Sequence, residues 1–443
     1  MSVSNVNDSD VQKMPLTSEQ LQAIDTPAYV YDLAELRANW HRLRTMLPEG
    51  TGLFYSMKSN PHPAVVRELR IAGAAAEVCS RGEVASAIEA GWPASELLYG
   101  GPGKRDEDLE EALRCGVRQF SVDSPAALDQ IDRLAGGLGL HCRAILRIND
   151  AVPARGQGLA MSGRASQFGA DLEWVVAEPQ AFSGRKHVTV EGIHCYMGTN
   201  YTATDDLVAQ FARSLTAAMR ATEALTPHGM CLHTLDLGGG FGAPFARAGG
   251  PLIWNGLAAR VASLLDELVP GWRRGAPYVT FESGRYLTAT AGTLFTKVLD
   301  VKQSHGTTVV VVDSGINHLG GMAGLRRVPP LLPTLVRTDD KDPAANGSVT
   351  VPTLVTGPLC TPLDTWARST PLPPLELNDI LAVPNVGAYG LYASLVAFLG
   401  HPLPTEVIVD SERPDLEPSA SRLELVRSTN WSPVGRSGLL RPQ

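Results

Sequence analysis

A single lysine, Lys58, closes an aromatic and aliphatic run in the segment FYSMKSN (54–60). Lysine is rarely buried without a partner, so the simplest interpretation is that a strand ends there and the side chain reaches water. A lysine amine at the end of a buried strand can also attack a carbonyl group and form a Schiff base. Which interpretation holds depends on the residues that the fold brings to the same place.

Two glycine-containing segments are candidates for binding an anion. Gly238, Gly239 and Gly240 are consecutive, and Gly284 precedes Arg285. Glycine lets backbone N–H groups approach an anion closely, and arginine adds a fixed positive fork. A glycine run alone is weak evidence because turns need glycine too, but two runs, one with an arginine, favour a phosphate site.

A phosphate site combined with a lysine predicts pyridoxal phosphate as the cofactor. This cofactor needs a lysine for its Schiff base, a phosphate site and a partner for its pyridine nitrogen. Glu282 suits the last role because a carboxylate keeps the ring nitrogen protonated; the alternative is a salt bridge to Arg285. His194 is either a hydrogen-bonded core histidine or a ring stacked on the cofactor.

The elements that must position these residues alternate between short β-type runs and helical patterns from about residue 50 to 285. Eight such units favour a (β/α)8 TIM barrel, because LDLGGGFG (235–242) does not match the GxGxxG dinucleotide fingerprint of an open doubly wound sheet. A TIM barrel places its active site where the strands end, so the candidate residues would share one rim. The predicted strands are 53–57, 75–79, 96–100, 119–123, 143–148, 190–197, 233–237 and 278–282.

A length of 443 residues suggests more than one domain. After residue 290 the chain becomes β-rich and proline-spaced, which predicts a second, mostly antiparallel β domain, a barrel or a sandwich. The predicted organisation is a flexible tail (1–20), a strand and helix that join the β domain (21–45), the cofactor-binding barrel (46–290) and the C-terminal β domain (291–443).

Composition excludes several classes of function. With 38 basic and 46 acidic side chains the net charge is -8, so we expect no nucleic-acid partner. Six cysteines without a CxxC pair favour neither a zinc site nor a disulfide framework, and we expect no metal and a reducing, cytoplasmic location. The polar N-terminus does not look like a secretory signal, and Pro384 and Asn385 interrupt the apolar stretch 380–400, so no membrane span is expected.

Six segments of the sequence carry a family resemblance: YSMKSNPHPAVVRELRIAGAAAEVCSRGEVASAIEAG (55–91), GIHCYMGTN (192–200), LDLGGGFG, FESGR (281–285), GPLCTPLD (357–364) and NVGAYG (385–390). Taken in this order, they resemble the fold-type III pyridoxal phosphate decarboxylases, the family that contains diaminopimelate, ornithine and arginine decarboxylases. The resemblance extends from residue 26 to about residue 410.

The resemblance implies catalytic roles for Lys58, which forms the Schiff base, for His194, which stacks on the cofactor, and for Cys360, which protonates the α-carbon. It also implies a homodimer with active sites at the interface, where Cys360 and Tyr389 serve the neighbouring subunit's cofactor. The cofactor-binding set that it implies is Lys58, Glu77, Arg147, His194, Thr199, Gly238, Gly239, Gly240, Glu282, Gly284, Arg285 and Tyr389.

The chain also departs from the family pattern. Glu77 stands where the family usually has aspartate, Ser283 replaces a proline, and Thr361 replaces an acid that often follows the cysteine. The R-P-A-L-Y segment of the diaminopimelate enzymes is replaced by GINHLGGMAGLRR (315–327), so diaminopimelate, ornithine and lysine are not the expected substrates. The candidate substrate residues are Asp313, Arg326, Thr361 and Asp364.

The resemblance implies α-decarboxylation of an amino acid or aminoacyl derivative in a specialised biosynthetic pathway. Substrate amine would displace Lys58, and loss of CO₂ would leave a carbanion delocalised into a pyridinium, a quinonoid state, held by Glu282. AFLGHPLPTEVIVD (397–410) resembles a subgroup of which some members act on aminoacyl groups tethered to a carrier protein. The alternatives are an alanine-racemase-like enzyme with an opposing tyrosine, a non-catalytic regulatory homologue and a protein that stores the cofactor.

Overall fold

The computed structural model of the protein describes residues 16–151, 162–319, 333–338 and 350–422. Strand β1 (Ala28–Asp32) belongs to the second of two sheets, and the strands that follow it form a closed parallel barrel in which the last pairs with the first. The barrel strands are β2 (Gly52–Ser56), β3 (Ala75–Val78), β4 (Leu98–Tyr99), β5 (Gln119–Val122), β6 (Cys142–Asn149), β8 (Val188–Cys195), β9 (Thr234–Asp236) and β10 (Tyr278–Ser283), with the short β7 (Ala170–Asp171) beside β6. All eight predicted barrel strands are confirmed.

Helices begin and end at residues that local rules predict. Ser80 and Ser124 accept hydrogen bonds from the backbone three residues on, and Gly116 ends a helix in the left-handed conformation. The helices are α1 (Ser18–Ala23), α2 (Leu33–Thr45), α3 (Pro63–Ile71), α4 (Arg81–Glu89), α5 (Asp106–Cys115), α6 (Pro125–Gly137), α7 (Leu172–Ala177), α8 (Thr204–Leu225), α9 (Leu257–Leu268) and α10 (Arg285–Thr288). None of the helices in the described ranges is long and apolar enough to cross a membrane.

Side-chain alternation along the strands builds the inside of the barrel in layers. Phe54, Leu98 and Ile145 form a small apolar cluster of their own, whereas Tyr55 packs into the main core. Because successive side chains in a strand point to opposite faces, residues two positions further along also point inward. The strand registers give the same inward direction to a set of polar residues near the carboxyl ends of the strands, which we call the polar layer: Ser56, Glu77, Ser121, Arg147, His194, Asp236 and Glu282.

The second sheet is mostly antiparallel, as predicted, and the N-terminal strand joins it. Strand β1 pairs antiparallel with β11 on one side and parallel with β17 on the other. The strands of this sheet after the barrel are β11 (Gly292–Ser304), β12 (Thr307–Val312), β13 (Val336–Arg337), β14 (Val351–Thr356), β15 (Thr365–Leu372), β16 (Ile380–Val383), β17 (Thr405–Val409) and β18 (Ser419–Arg422). Its own core is formed by Leu16, Leu21, Val30, Phe295, Ala382, Val407 and Val409.

A helix begins inside the segment 1–20, which the sequence predicts to be a flexible tail. Helix α1 begins at Ser18, because Thr17 and Gln20 form a capping box. The Thr17 backbone amide donates to Gln20 Oε1 over 2.9 Å, and the Gln20 amide donates to Thr17 Oγ1 over 3.2 Å. Leu16 and Leu21 then bury their side chains against the second sheet, which gives this short helix a reason to form.

Candidate active site

Lys58 lies in a single 3-10 turn, Met57–Ser59, that directly follows β2. Its Nζ donates to both carboxylate oxygens of Glu77, at 3.0 Å to Oε1 and 2.9 Å to Oε2. The Lys58 side chain is 43% exposed, whereas that of Glu77 is 5% exposed. Lys58 therefore does not simply extend into bulk water: it lies at the edge of a pocket, held by a buried carboxylate from the next barrel strand.

The Lys58–Glu77 pair is charged in the cofactor-free chain. Burial lowers the pKa of Lys58, but the negative charge of Glu77, together with smaller contributions from other nearby groups, outweighs it, and the pKa ends well above its ordinary value. Burial raises the pKa of Glu77, but the charge and hydrogen bonds of the Lys58 ammonium, with further hydrogen bonds from Ser56 and Cys79, outweigh this and lower the pKa to about 2. Lys58 must therefore lose a proton before its amine can attack a carbonyl group.

A pocket that is partly open to solvent lies next to Lys58. It brings together seven of the predicted residues from both domains: Lys58, Thr199, Gly240, Glu282, Gly284, Arg285 and Tyr389. The remaining lining residues are Ser56, Tyr196, Asn200, Phe241 and Ser283. Glu282 contributes a carboxyl group to this pocket and Arg285 a guanidinium group. Serine, threonine and tyrosine side chains contribute hydroxyl groups, and the glycines expose backbone.

Glu282 and His194 lie side by side in the polar layer of the barrel. His194 Nε2 is 3.4 Å from Glu282 Oε1, and His194 Nδ1 is 2.8 Å from Ser121 Oγ. Within the described ranges neither His194 Nε2 nor Glu282 Oε1 has a hydrogen-bond partner, although both atoms are buried. A buried carboxylate oxygen without a donor fits a protonated ring nitrogen, which is the partner that pyridoxal phosphate would supply.

The charge states of this pair follow from burial. Burial raises the pKa of Glu282 well above its ordinary value, and the nearby Asp236 and Glu77 carboxylates raise it further. Burial also lowers the pKa of His194 well below its ordinary value, and the positive charge of Arg147 adds to this. The histidine is therefore neutral, and Glu282 becomes a carboxylate readily only when a cation is placed against it. His194 contacts Glu282, and the alternative pairing of Glu282 with Arg285 is not formed.

The glycine loop packs tightly against the strand that carries Glu282. A Cβ at Gly239 would lie 2.0 Å from the Glu282 carbonyl oxygen, and Gly238 and Gly240 have φ values of +66° and +93°. A Cβ at Gly284 would lie 2.8 Å from Ser59 Cβ. These glycines are therefore needed for the packing of the chain itself, and they also leave open the pocket wall at which Gly240, Gly284 and Arg285 could hold a phosphate.

The second domain contributes Tyr389 to this pocket. Its backbone is in the left-handed region with φ 60°, and its ring centroid lies 5.0 Å from the Arg285 guanidinium carbon. Tyr389 lines the same pocket as Lys58 of its own chain, so the expectation that it serves a neighbouring subunit is corrected. The physical reason is that the loop 385–390 is hydrogen-bonded onto the turn after Lys58.

Other predicted residues are not brought to the pocket wall. Arg147 lies between two aromatic rings, 4.7 Å from the Phe168 centroid and 5.7 Å from the Tyr196 centroid, and acts on His194 through its charge. Cys360 is exposed in the turn between β14 and β15 and does not line the pocket, and neither does its neighbour Thr361.

The candidate substrate residues have mixed outcomes. Asp313 Oδ1 accepts hydrogen bonds from Thr296 Oγ1 at 2.7 Å and from the Lys297 amide at 2.9 Å, within its own sheet. Asp364 is buried, and both of its carboxylate oxygens accept hydrogen bonds from backbone amides. Its side chain is therefore occupied within the second domain and does not point towards a substrate bound in the pocket of the same chain. Arg326 lies outside the described residues.

Asp236 and Ser121 are polar residues of the site that sequence reasoning missed. Asp236 is fully buried, and its Oδ1 accepts a hydrogen bond from the Gly238 amide at 2.8 Å. A carboxylate oxygen of Asp236 lies within 4.8 Å of a ring nitrogen of His194 and of a carboxylate oxygen of Glu282. Burial raises its pKa to about 7. The sequence could have predicted both residues. Side chains alternate between the two faces of a strand, and in the predicted barrel strands Asp236 and Ser121 fall on the face that points into the barrel.

Comparison with known proteins identifies what this arrangement resembles. Residues 33–289 match the family model described as "Pyridoxal-dependent decarboxylase, pyridoxal binding domain". The L-glutamyl-[BtrI acyl-carrier protein] decarboxylase of Niallia circulans is 32% identical over 390 residues, which are 87% of this chain and 89% of that protein.

Two further similarities cover nearly the whole chain. The 2-[(L-alanin-3-ylcarbamoyl)methyl]-2-hydroxybutanedioate decarboxylase of Staphylococcus aureus is 27% identical over 405 residues, 90% of this chain and 98% of that protein. A crystal structure of a variant of SrLDC in complex with PLP superimposes with a TM-score of 0.72 at 25% identity, covering 90% of this chain and 97% of that chain.

Proposed function

The chain belongs to the family of pyridoxal-dependent decarboxylases, and on that premise we propose that its substrate is an aminoacyl group joined to a carrier protein. The enzyme class, a decarboxylase of amino acids or their derivatives that uses pyridoxal phosphate, follows from the family. The observation that carries the finer proposal is the 32% identity, over 87% of this chain, to a decarboxylase that acts on a carrier-bound glutamyl group.

The reaction itself limits how a carrier can be attached. Decarboxylation replaces the α-carboxylate with a proton, and the substrate's α-amine must be free to bind the cofactor. The carrier must therefore be joined through the amino acid's side chain, as a side-chain acyl thioester would be. Thr361 is consistent with this, because a neutral residue stands where an acid could otherwise bind a distal ammonium group.

When bound, pyridoxal phosphate supplies the electron sink that accepts the electron pair left at the α-carbon as CO₂ departs. Residues that line the pocket would hold it at three points. Lys58 would bind the carbonyl carbon, Glu282 would pair with the ring nitrogen, and Gly240, Gly284, Arg285, Thr199 and Tyr389 would bind the phosphate.

Glu77 and His194 orient and tune these contacts. Glu77 fixes the position of the Lys58 side chain by accepting two hydrogen bonds from its ammonium group, and its negative charge stabilises that ammonium. His194 is kept neutral, so its ring can lie against an aromatic face without placing a second cation near the ring nitrogen. The uncharged imidazole thus leaves Glu282 as the group that holds the proton of that nitrogen.

The proton for the α-carbon comes in this proposal from Cys360 of a second copy of the chain. Cys360 is exposed and its own chain's pocket lacks a thiol among the residues that line it, so a homodimer would complete the site. The thiol gives its proton to the α-carbon and regains one from solvent, which balances the reaction. Tyr196 and Tyr389 are pocket groups that would act instead in a racemase-like reaction.

A substrate screen tests the proposal. CO₂ release is measured with free glutamate, free diaminopimelate, glutamate joined by its side-chain carboxyl to a short thiol, and the same group on a carrier protein. We expect release from the carrier-bound group to exceed that from free glutamate by more than about a hundredfold in kcat/KM. Faster turnover of a free amino acid overturns the carrier proposal, and loss of chirality at the α-carbon without CO₂ release favours the racemase-like reaction.

A further inference from the structure

We propose that Asp364 is a positioning residue that fixes the turn carrying Cys360 and so sets where the thiol is presented. We call residues 357–364 the Cys360 turn. The inference rests on the proposed role of Cys360 and adds a residue to the proton-transfer machinery that faces neither substrate nor cofactor. Asp364 was a candidate substrate residue on sequence alone, and its surroundings give it this different role.

The carboxylate of Asp364 joins two segments of the second domain. Its Oδ2 accepts a hydrogen bond from the Leu359 amide at 2.8 Å, directly before Cys360. Its Oδ1 accepts from the Ile316 amide at 2.9 Å, in the segment 314–319. Asp364 is only 2% exposed, so these bonds are shielded from water and leaving either donor unpaired would be costly.

Two glycines make room for this carboxylate. A Cβ at Gly315 would lie 2.7 Å from Asp364 Oδ2, and a Cβ at Gly357 would lie 2.3 Å from the same atom. Any side chain at either position would push the carboxylate out of place. The backbone closes the turn as well, since the Gly357 amide donates to the Asp364 carbonyl and the Asp364 amide to the Thr361 carbonyl, each at 3.1 Å.

The segment to which Asp364 ties the turn is itself anchored. Trp366 Nε1 donates to the Ser314 carbonyl at 2.9 Å, and the Tyr29 hydroxyl donates to the His318 carbonyl at 2.7 Å. Tyr29 belongs to β1 in the middle of the second sheet. One buried carboxylate, that of Asp364, therefore fixes the position of the exposed Cys360 relative to the second sheet.

The chemistry requires a carboxylate at this position. Two backbone N–H donors meet two carboxylate oxygens, one each. An amide of the same shape has one oxygen and one NH₂ group, so Asp364→Asn leaves one backbone amide facing another donor. The turn would then be displaced while the fold of the sheet is kept.

The test compares Asp364→Asn with Cys360→Ala and with a matched control, Asp379→Asn. Asp379 is in the same domain and its carboxylate also accepts a backbone amide, that of Glu376 at 2.8 Å, away from the Cys360 turn. The measurement is the product partition: protonation at the α-carbon gives amine product, whereas protonation at the cofactor's carbonyl carbon followed by hydrolysis gives an aldehyde and the amine form of the cofactor. A second measurement is the alkylation rate of Cys360 by iodoacetamide, followed by mass spectrometry of its peptide.

We expect Cys360→Ala and Asp364→Asn both to raise the aldehyde fraction, and Asp364→Asn to change the Cys360 alkylation rate severalfold, with Asp379→Asn like wild type. Normal partition and alkylation in Asp364→Asn overturn the inference. Normal partition in Cys360→Ala overturns the proposed role of the thiol, and the alkylation rate still tests the Asp364 contact. If Asp364→Asn does not fold, Gly315→Ala displaces the same carboxylate and is expected to give the same two changes.

Discussion

The backbone amide of Tyr389 donates a hydrogen bond to the carbonyl oxygen of Ser59, 2.8 Å away, and so joins the second domain to the turn that carries Lys58. Beside it, Asn60 Nδ2 donates to the Gly387 carbonyl at 2.9 Å. The two contacts hold the left-handed backbone of Tyr389 at the pocket. The lysine and the tyrosine are thus placed by one shared arrangement, although 331 positions separate them in the chain.

Loss of the Asn60 contact is expected to weaken cofactor binding. Asn60 is 1% exposed, and Asn60→Asp keeps its acceptor for the His62 amide while removing the donor to Gly387. We expect the Kd for pyridoxal phosphate to rise about tenfold, equivalent to about 1.4 kcal/mol, by equilibrium dialysis. An unchanged Kd in this variant would mean that the loop 385–390 does not need this bond.

Lys58→Ala is expected to abolish covalent attachment of the cofactor. The wild-type protein with pyridoxal phosphate should show the long-wavelength absorbance of a lysine-bound cofactor, and borohydride should fix the cofactor to the peptide that contains Lys58. The variant should show neither, while still binding the cofactor reversibly through the pocket. Retention of the absorbance in Lys58→Ala would rule out Lys58 as the attachment residue.

Replacement of Glu77 is expected to shift the pH dependence of cofactor attachment. Glu77 raises the pKa of Lys58, so Glu77→Gln should lower it and move the midpoint of the attachment-rate profile down by about one unit or more. Stopped-flow mixing of cofactor-free protein with pyridoxal phosphate from pH 6 to 10 measures this. Glu77→Asp restores the charge and is the control. A midpoint that stays the same in Glu77→Gln argues against electrostatic control by this carboxylate.

Mixing two defective variants is expected to restore formation of the amine product if sites are shared between subunits. Lys58→Ala lacks the attachment lysine and Cys360→Ala lacks the thiol, so a mixed dimer has one intact site. Random exchange of subunits predicts that about a quarter of the wild-type rate of amine formation is recovered. Assays of the amine product before and after exchange measure it. No recovery, with exchange verified by mass spectrometry, contradicts the proposal that Cys360 serves the other subunit.

The stability of the cofactor-free protein is expected to fall as pH rises through the range in which Asp236 titrates. The carboxyl has an ordinary pKa of 3.8 and a folded pKa of about 7, so between these values the folded state binds more protons than the unfolded state. The free energy of unfolding therefore decreases with rising pH over this window. In Asp236→Asn, the difference between the Tm at pH 5 and the Tm at pH 8 should be smaller than in wild type by several degrees. An unchanged slope would show that the site's carboxylates do not control this stability.

The barrel and the rim of the site were predictable because both depend on local patterns. Glycine and proline punctuation with alternating apolar runs marked eight βα units, and parallel strands in a barrel bring their ends to one face. That geometry placed Lys58, Glu77, His194 and Glu282 together without any knowledge of contacts. It would also have selected Asp236, whose inward parity was not used.

The contacts between these residues were decided by the tertiary structure alone. The pairing of Lys58 with Glu77, the approach of His194 to Glu282, the entry of Tyr389 into its own chain's pocket and the burial of Asp364 all depend on how strands register when the barrel closes and the second sheet docks. Local periodicity carries no information on this register across hundreds of residues. The sequence by itself therefore determined which residues share a rim, and packing determined which of them touch.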